Sequence, residues 1–160
     1  MPKFAEVRHA QWIAAPRRVV AAQFADLDHH IRRNVHPKLR FEVLERRRDG
    51  ARFVQEVRLL GIRQRDVFER VIGADGRIDD RSVQGFNRDG TLAFRFHDEV
   101  RDGRSGTRVD IIVRLPLPPL VGPLLRPLLE AQIRREVCAA ALEDRDDIEQ
   151  RGYAAAMQAA

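Results

Sequence analysis

The sequence predicts an α+β fold, a seven-stranded curved antiparallel sheet wrapped around a long C-terminal helix, with two short helices after the first strand. Three observations carry this. Between Pro37 and Leu115 six segments follow one another, turning back at Asp49-Gly50, Leu60-Gly61, Ala74-Asp75-Gly76, Arg88-Asp89-Gly90 and the Arg101–Gly106 segment. Asp-Gly pairs are strong hairpin signals, because a primed turn needs positive φ and glycine adopts it freely. From about Pro127 to Arg151 there is no internal glycine or proline, so one helix of about twice the usual length is expected. A curved meander and one long helix bury both apolar faces best when the sheet wraps the helix. That arrangement leaves a cavity between them, and function is expected there.

The elements follow in order. Residues 3–13 alternate weakly around Val7, Trp12 and Ile13 and read as a first strand. Pro16 suits the first turn of a helix, where its missing N–H costs nothing. Val19, Val20, Gln23, Phe24 and Leu27 then recur at helical spacing. Asp26 or Asp28 caps a second short helix through Arg33, and Pro37 ends it. Leu39, Phe41 and Val43 alternate with charged neighbours, as do Phe53, Val57 and Leu59. So do Leu92, Phe94 and Phe96, and Val109, Ile111, Val113 and Leu115. This period of two means one wet face and one buried face. Residues 62–72 carry apolar and charged side chains in both registers, and residues 77–86 make the weakest strand.

The run Leu115-Pro116-Leu117-Pro118-Pro119 stops the last strand, since proline donates nothing to a ladder. The Leu115–Leu129 segment reads as a buried hinge, or else as an apolar gate able to touch a membrane transiently. Leu125, Leu128, Leu129, Ile133, Val137, Ala140 and Ala141 form the apolar stripe of the long helix. Beyond Leu142 the composition turns acidic, so the last turns are expected to meet solvent. Gly152 suits a helix-closing left-handed position. Residues 1–152 read as a single domain and residues 153–160 as a flexible tail.

Composition narrows the function classes. At 160 residues, 44% hydrophobic and 33% charged, the chain is long enough for one substantial core. The N-terminus lacks an apolar signal core, which predicts a cytoplasmic protein, and Cys138 is the only cysteine. The net charge of +5 does not predict nucleic-acid binding, because 29 basic residues are interleaved with 24 acids rather than gathered on one face. No feature sets an oligomeric state.

The strand, the helix entry at Ile13-Ala14-Ala15-Pro16 with Val19-Val20 and Phe24-Ala25-Asp26, and the His36-Pro37 pair before the second strand resemble the START-like (SRPBCC) superfamily. That superfamily includes bacterial polyketide cyclase/dehydrase-like proteins, coenzyme-Q-binding proteins and Bet v 1-type allergens. The resemblance implies a helix-grip fold and a hydrophobic ligand such as a lipid, isoprenoid, polyketide or aromatic metabolite, held between sheet and helix. Some members catalyse cyclisation, dehydration or hydrolysis there, but no catalytic signature is matched, so no catalytic residue is assigned.

The candidate ligand-binding residues are Phe41, Phe53, Val57, Phe94 and Phe96 on the sheet and Leu125, Leu129 and Ile133 on the helix. Gln55 and Asp98 fall on the buried parity, and Gln84 and Arg65 are further polar candidates. A buried polar group needs a partner, which a ligand can supply. Asp66, Asp80 or Asp98 could act as acids if burial raised their pKa values. His29, His30 and His36 lack a compact ligand spacing and are expected as solvated histidines at the cavity mouth, with no metal site; His97 is expected to be exposed. No cofactor motif is present: every glycine has a turn, strand or cap explanation. Ser82 and Ser105 lack a nucleophile-elbow context, and Cys138 reads as an inert buried thiol. A hydrophobic-ligand binder, a cyclase/dehydrase-type enzyme and a surface interaction module with a filled core are the three readings.

Overall fold

The structure, a computed structural model, describes residues 3–159. Strand β1 (Phe4–Ile13) leads into helices α1 (Arg17–Ala25) and α2 (Leu27–Arg33). The meander follows as β2 (Arg40–Arg47), β3 (Gly50–Leu59), β4 (Ile62–Ile72), β5 (Ile78–Gly85), β6 (Thr91–Arg101) and β7 (Arg104–Pro116). Helix α3 (Gly122–Glu149) and a short α4 (Tyr153–Ala159) complete the chain.

All seven strands form one antiparallel sheet in the order β1-β7-β6-β5-β4-β3-β2. The hairpin turns are where the glycines put them. Leu60 and Gly61 (φ +51° and +73°) and Asp102 and Gly103 (φ +48° and +73°) make two-residue connections with both central residues left-handed. That twist matches the flanking strands. Irregularities in the register between Val43 and Glu45 and between Val67 and Phe68 bend the meander.

The core lies between the inner face of the sheet and α3. Val7, Val109, Ile111, Val113 and Leu115 pack with Leu129, Ile133, Ala141 and Ile148 of α3 and with Val19, Val20 and Phe24 of α1. A smaller cluster of Leu27, Ala51, Phe53 and Phe68 fills the far side under β3 and β4, with the two phenyl rings stacked at 5.6 Å. Asp26 caps α2 by accepting from the His29 N–H at 2.9 Å, and Asn34 closes that helix in the left-handed conformation.

Three expectations need correction. Helix α3 begins at Gly122, with Pro123 in its first turn and Pro127 inside it, rather than settling after Pro127. Pro123 forfeits no intrahelical bond, because the first N–H groups of a helix lack such partners, whereas Pro127 gives up one. One face of the helix's acidic end does not meet solvent: Asp144, Asp147 and Ile148 are buried, while Asp146 and Glu149 stay on the solvent side. Within the tail expected to be flexible, residues 153–159 form α4, whose Tyr153 is buried against His29 at 4.6 Å between ring centres. Burial, and then the nearby Asp26 and Asp147 carboxylates, push the Tyr153 phenol up to about 12. Of the proline-rich bridge, Leu115 and Leu117 pack on the core, whereas Leu120, Leu124 and Leu128 are exposed.

Candidate functional site: a cavity under the long helix

A cavity of about 160 Å³ lies between α3 and the inner face of the sheet. Phe41, Val57, Leu92 and Phe94 supply its apolar sheet wall, and Ile133, Val137 and Ala140 its helix wall. Lys38 and Leu39 stand at its edge across from Glu136, with Lys38 Nζ 3.9 Å from that carboxylate. The Lys38 side chain is largely exposed and the separation is long, so this pair stabilises little.

Of the candidate residues, Phe41, Gln55, Val57, Phe94 and Ile133 line this cavity together. Gln55 carries no side-chain hydrogen bond among the described residues, so its amide is available to a guest. Phe53, Phe96 and Leu129 are buried but belong to the packed core instead. Phe96 meets Phe24 edge-on at 5.5 Å within that core. Leu125 is half-buried outside the lining. Asp98 and Gln84 are exposed, as is Arg65. For Asp98 the inward alternation has failed near the end of β6, and its carboxylate lies 3.8 Å from Arg17. For Gln84 the irregularity after Val67 shifts the register of β5.

The ambiguous strand β4 turns four consecutive inward positions, Gln64, Asp66, Phe68 and Arg70, into the interior. Each polar one is satisfied. Asp66 accepts from the Asn87 backbone N–H at 2.6 Å and its side-chain amide at 2.8 Å, and from Ser82 Oγ at 3.3 Å. Gln64 accepts from the same Asn87 amide at 2.8 Å. Arg70 donates two 2.8 Å bonds to Asp80 and a third to the Phe24 carbonyl, with its guanidinium over the Phe53 ring. Bidentate pairing of this kind is among the stronger side-chain contacts and fixes the geometry of both groups. Asp66 and Asp80 are thus structural carboxylates on the cavity floor.

The functional residues that sequence reasoning misplaced are the histidines. His30 and His36 are buried, and His29 is largely so, which overturns their expected place in solvent. His30 Nε2 and His36 Nε2 lie 3.1 and 3.2 Å from Asp144 Oδ1, and Gln23 Nε2 donates to the same oxygen at 3.0 Å. His36 Nδ1 contacts Glu143 Oε2 at 2.7 Å, and His29 Nε2 contacts Asp147 Oδ2 at 2.7 Å. Burial alone would lower the His36 pKa, but the Asp144 and Glu143 carboxylates outweigh it and push the imidazole up to about 10. Burial would raise Asp144; the charge of His36 and hydrogen bonds from both histidines hold it well below the usual carboxylate range. His30, His36, Glu143 and Asp144 all face the cavity. A sequence signal existed: Asp144 and Asp147, three apart, share one face of a helix whose partner elements carry Gln23 and the histidines.

His97 is exposed, as expected. Cys138 is half-buried, with Sγ 3.4 Å from His9 Nδ1 under β1 and away from the cavity lining. No helix is long and apolar enough to cross a membrane among the described residues.

Neither a protein-family model nor a curated protein sequence matches the chain. Solved structures do match. The protein TTHA0849 of Thermus thermophilus is 25% identical, with a TM-score of 0.75 over 88% of this chain and 95% of that one. A START superfamily protein from Mycobacterium smegmatis is 19% identical, with a TM-score of 0.67 over 88% and 95%. The Zhui aromatase/cyclase from a Streptomyces species is 17% identical, with a TM-score of 0.67 over 93% and 98%. This is the START-like helix-grip fold. In a START-like frame the cavity sits where the sheet grips the helix, and at these identities the likeness is one of architecture.

Proposed function

We propose that the protein binds a small, compact hydrophobic molecule in the cavity between the sheet and α3. The observation that carries this reading is the hollow itself, with apolar walls and the unengaged Gln55 amide facing inward. Its volume of about 160 Å³ restricts the guest. Apolar cavities of roughly 150 Å³ admit a single aromatic ring, whereas drug-sized ligands occupy roughly 300 Å³ or more. A ring-sized aromatic or short isoprenoid suits this space; an extended lipid or large polyketide does not unless α3 shifts. Apolar burial drives binding at roughly 25 cal/mol per Å². The neighbours named as a START superfamily protein and an aromatase/cyclase support the ligand class.

Native mass spectrometry of the freshly purified chain tests this, with a co-purifying molecule expected at one per chain. Ala140→Phe, which places a ring in the cavity, is expected to abolish that adduct while the protein stays folded. An adduct that survives Ala140→Phe overturns the assignment. A spectrum without any adduct, followed by no shift of cavity-residue NMR signals on adding ring-sized aromatics, favours the surface interaction module instead, which the small volume also suits.

A second reading, a cyclase/dehydrase-type enzyme using the same cavity, is favoured by one observation. His36, Glu143 and Asp144 stand together on the wall of the hollow as a linked set of acid–base groups beside the guest. Turnover of a bound ligand that is lost in His36→Gln with affinity retained would identify it.

A further inference from the structure

We propose that His30, His36 and Asp144 form a binding site for one divalent first-row transition-metal ion, of the Zn(II) or Fe(II) kind, in the wall of the cavity. The three residues come from α2, the loop after it and α3; their donor atoms all lie within 4.8 Å of one another, and all three are buried.

The tautomers make this more than a cluster. His30 Nδ1 is 2.7 Å from the Asp26 carbonyl oxygen, which can only accept, so Nδ1 carries the proton. His36 Nδ1 donates to the Glu143 carboxylate at 2.7 Å. With Nδ1 holding a proton in both rings, Nε2 is the nitrogen left to offer a lone pair to an ion, and both Nε2 atoms converge on one oxygen, Asp144 Oδ1. Metal-binding histidines are held in this way, with the second nitrogen donating to a carbonyl or carboxylate that fixes ring and tautomer.

The spacing fits an ion. With bonds of roughly 2.0–2.2 Å, adjacent donors around a metal stand about 3.0–3.5 Å apart, and the two Nε2–Oδ1 separations are 3.1 and 3.2 Å. Without an ion, three nitrogens crowd Asp144 Oδ1, those of His30, His36 and Gln23. An ion that takes the two imidazole lone pairs displaces to solvent any proton held on Nε2, the one on His36 included, and leaves Gln23 to orient the carboxylate. Two imidazoles and one carboxylate suit Zn(II) or non-haem Fe(II) rather than Mg(II) or Ca(II), which prefer all-oxygen shells. Because all three residues line the cavity, the remaining coordination positions face the guest, and an oxygen donor on it can bind there. The other histidine contacts do not converge: His29 meets Asp147, and His97 meets Asp110 at the surface.

The test is titration of the chelator-stripped full chain with Co(II), followed by its visible ligand-field absorption, with Zn(II) as competitor and no guest present. One Co(II) per chain, displaced by one Zn(II), is expected. His30→Gln, His36→Gln and Asp144→Asn should each weaken the complex by about 100-fold or more, and Glu143→Gln, which only loosens His36, by about 10-fold. His97→Gln should change nothing. Circular dichroism checks each variant, and half-buried Glu143 keeps the test open if a buried variant fails to fold. A folded wild-type chain that shows no ligand-field band at micromolar Co(II), or an affinity unmoved by His36→Gln or Glu143→Gln, overturns the site. The outcome is independent of the hydrophobic guest: a metal complex can form in protein whose native mass spectrum shows no organic adduct.

Discussion

The two ends of α3 invert the usual relation between polarity and burial. Near its start Leu124 is 83% exposed, whereas near its end Asp144 is 5% exposed and Asp147 is 1%. The neighbours explain the contrast. The outer side of the first turns has no element against it, so Leu120, Leu124 and Leu128 remain in solvent. The last turns are roofed by α1, α2 and α4, which present Gln23, His29 and His30 as donors, joined by His36. Burial follows the supply of complementary partners, and along this helix polarity alone misjudges both ends.

Removing one partner at the buried end breaks the contrast most severely. Asp144→Ala strands the His36 imidazolium and the Gln23 amide inside the protein, and a loss of about 3–5 kcal/mol is expected in urea unfolding of metal-free protein. Asp147→Asn should cost less, about 1–3 kcal/mol, since Gln23 and His29 lose a charged acceptor but keep a polar one. At the exposed end Leu124→Ser should shift stability by no more than about 0.5 kcal/mol in the same assay. Equal losses at the two ends would remove the distinction.

Proton titration sharpens it further. His36 has a folded-state pKa raised from 6.5 to about 10, so its contribution is complete below 6.5 and disappears as pH rises towards 10. Asp144 is depressed, so its contribution is complete above the ordinary carboxylate value of 3.8 and is lost as pH falls below it. Metal-free protein should therefore be most stable between about pH 4 and 6.5 where these two groups dominate. Urea midpoints measured across pH 4–10 check this, and His36→Gln should flatten the alkaline limb. A wild-type midpoint that rises from pH 6.5 to 10 would contradict the assignment.

The architecture was legible because its signals are local. Asp-Gly and Leu-Gly turns, alternating strands and the uninterrupted C-terminal run each report on neighbours in sequence. The cavity wall was legible for the same reason at Phe41, Gln55, Val57 and Phe94, where alternation is clean. The polar interior was not. His30 and Asp144 are 114 residues apart, and no local pattern announces that each will satisfy the other. Asp98 was misassigned because alternation predicts a face only while the strand stays inside the core, and Gln84, whose strand gave no clear parity, faces outward beyond the irregularity at Val67. Strand β4 defied assignment because three of its four inward positions, Gln64, Asp66 and Arg70, are themselves charged or polar.

That strand has a consequence for how the chain folds. A segment whose concealed side carries Gln64, Asp66 and Arg70 beside the single ring of Phe68 gains little greasy advantage from one alignment over its one-residue slip. Its alignment is enforced by Asn87, Ser82 and Asp80, which arrive only with the following hairpin arm. The middle of the barrel-like half is thus zipped by chemistry supplied later in the chain, so β4 and β5 should acquire amide-exchange protection together, as one cooperative unit.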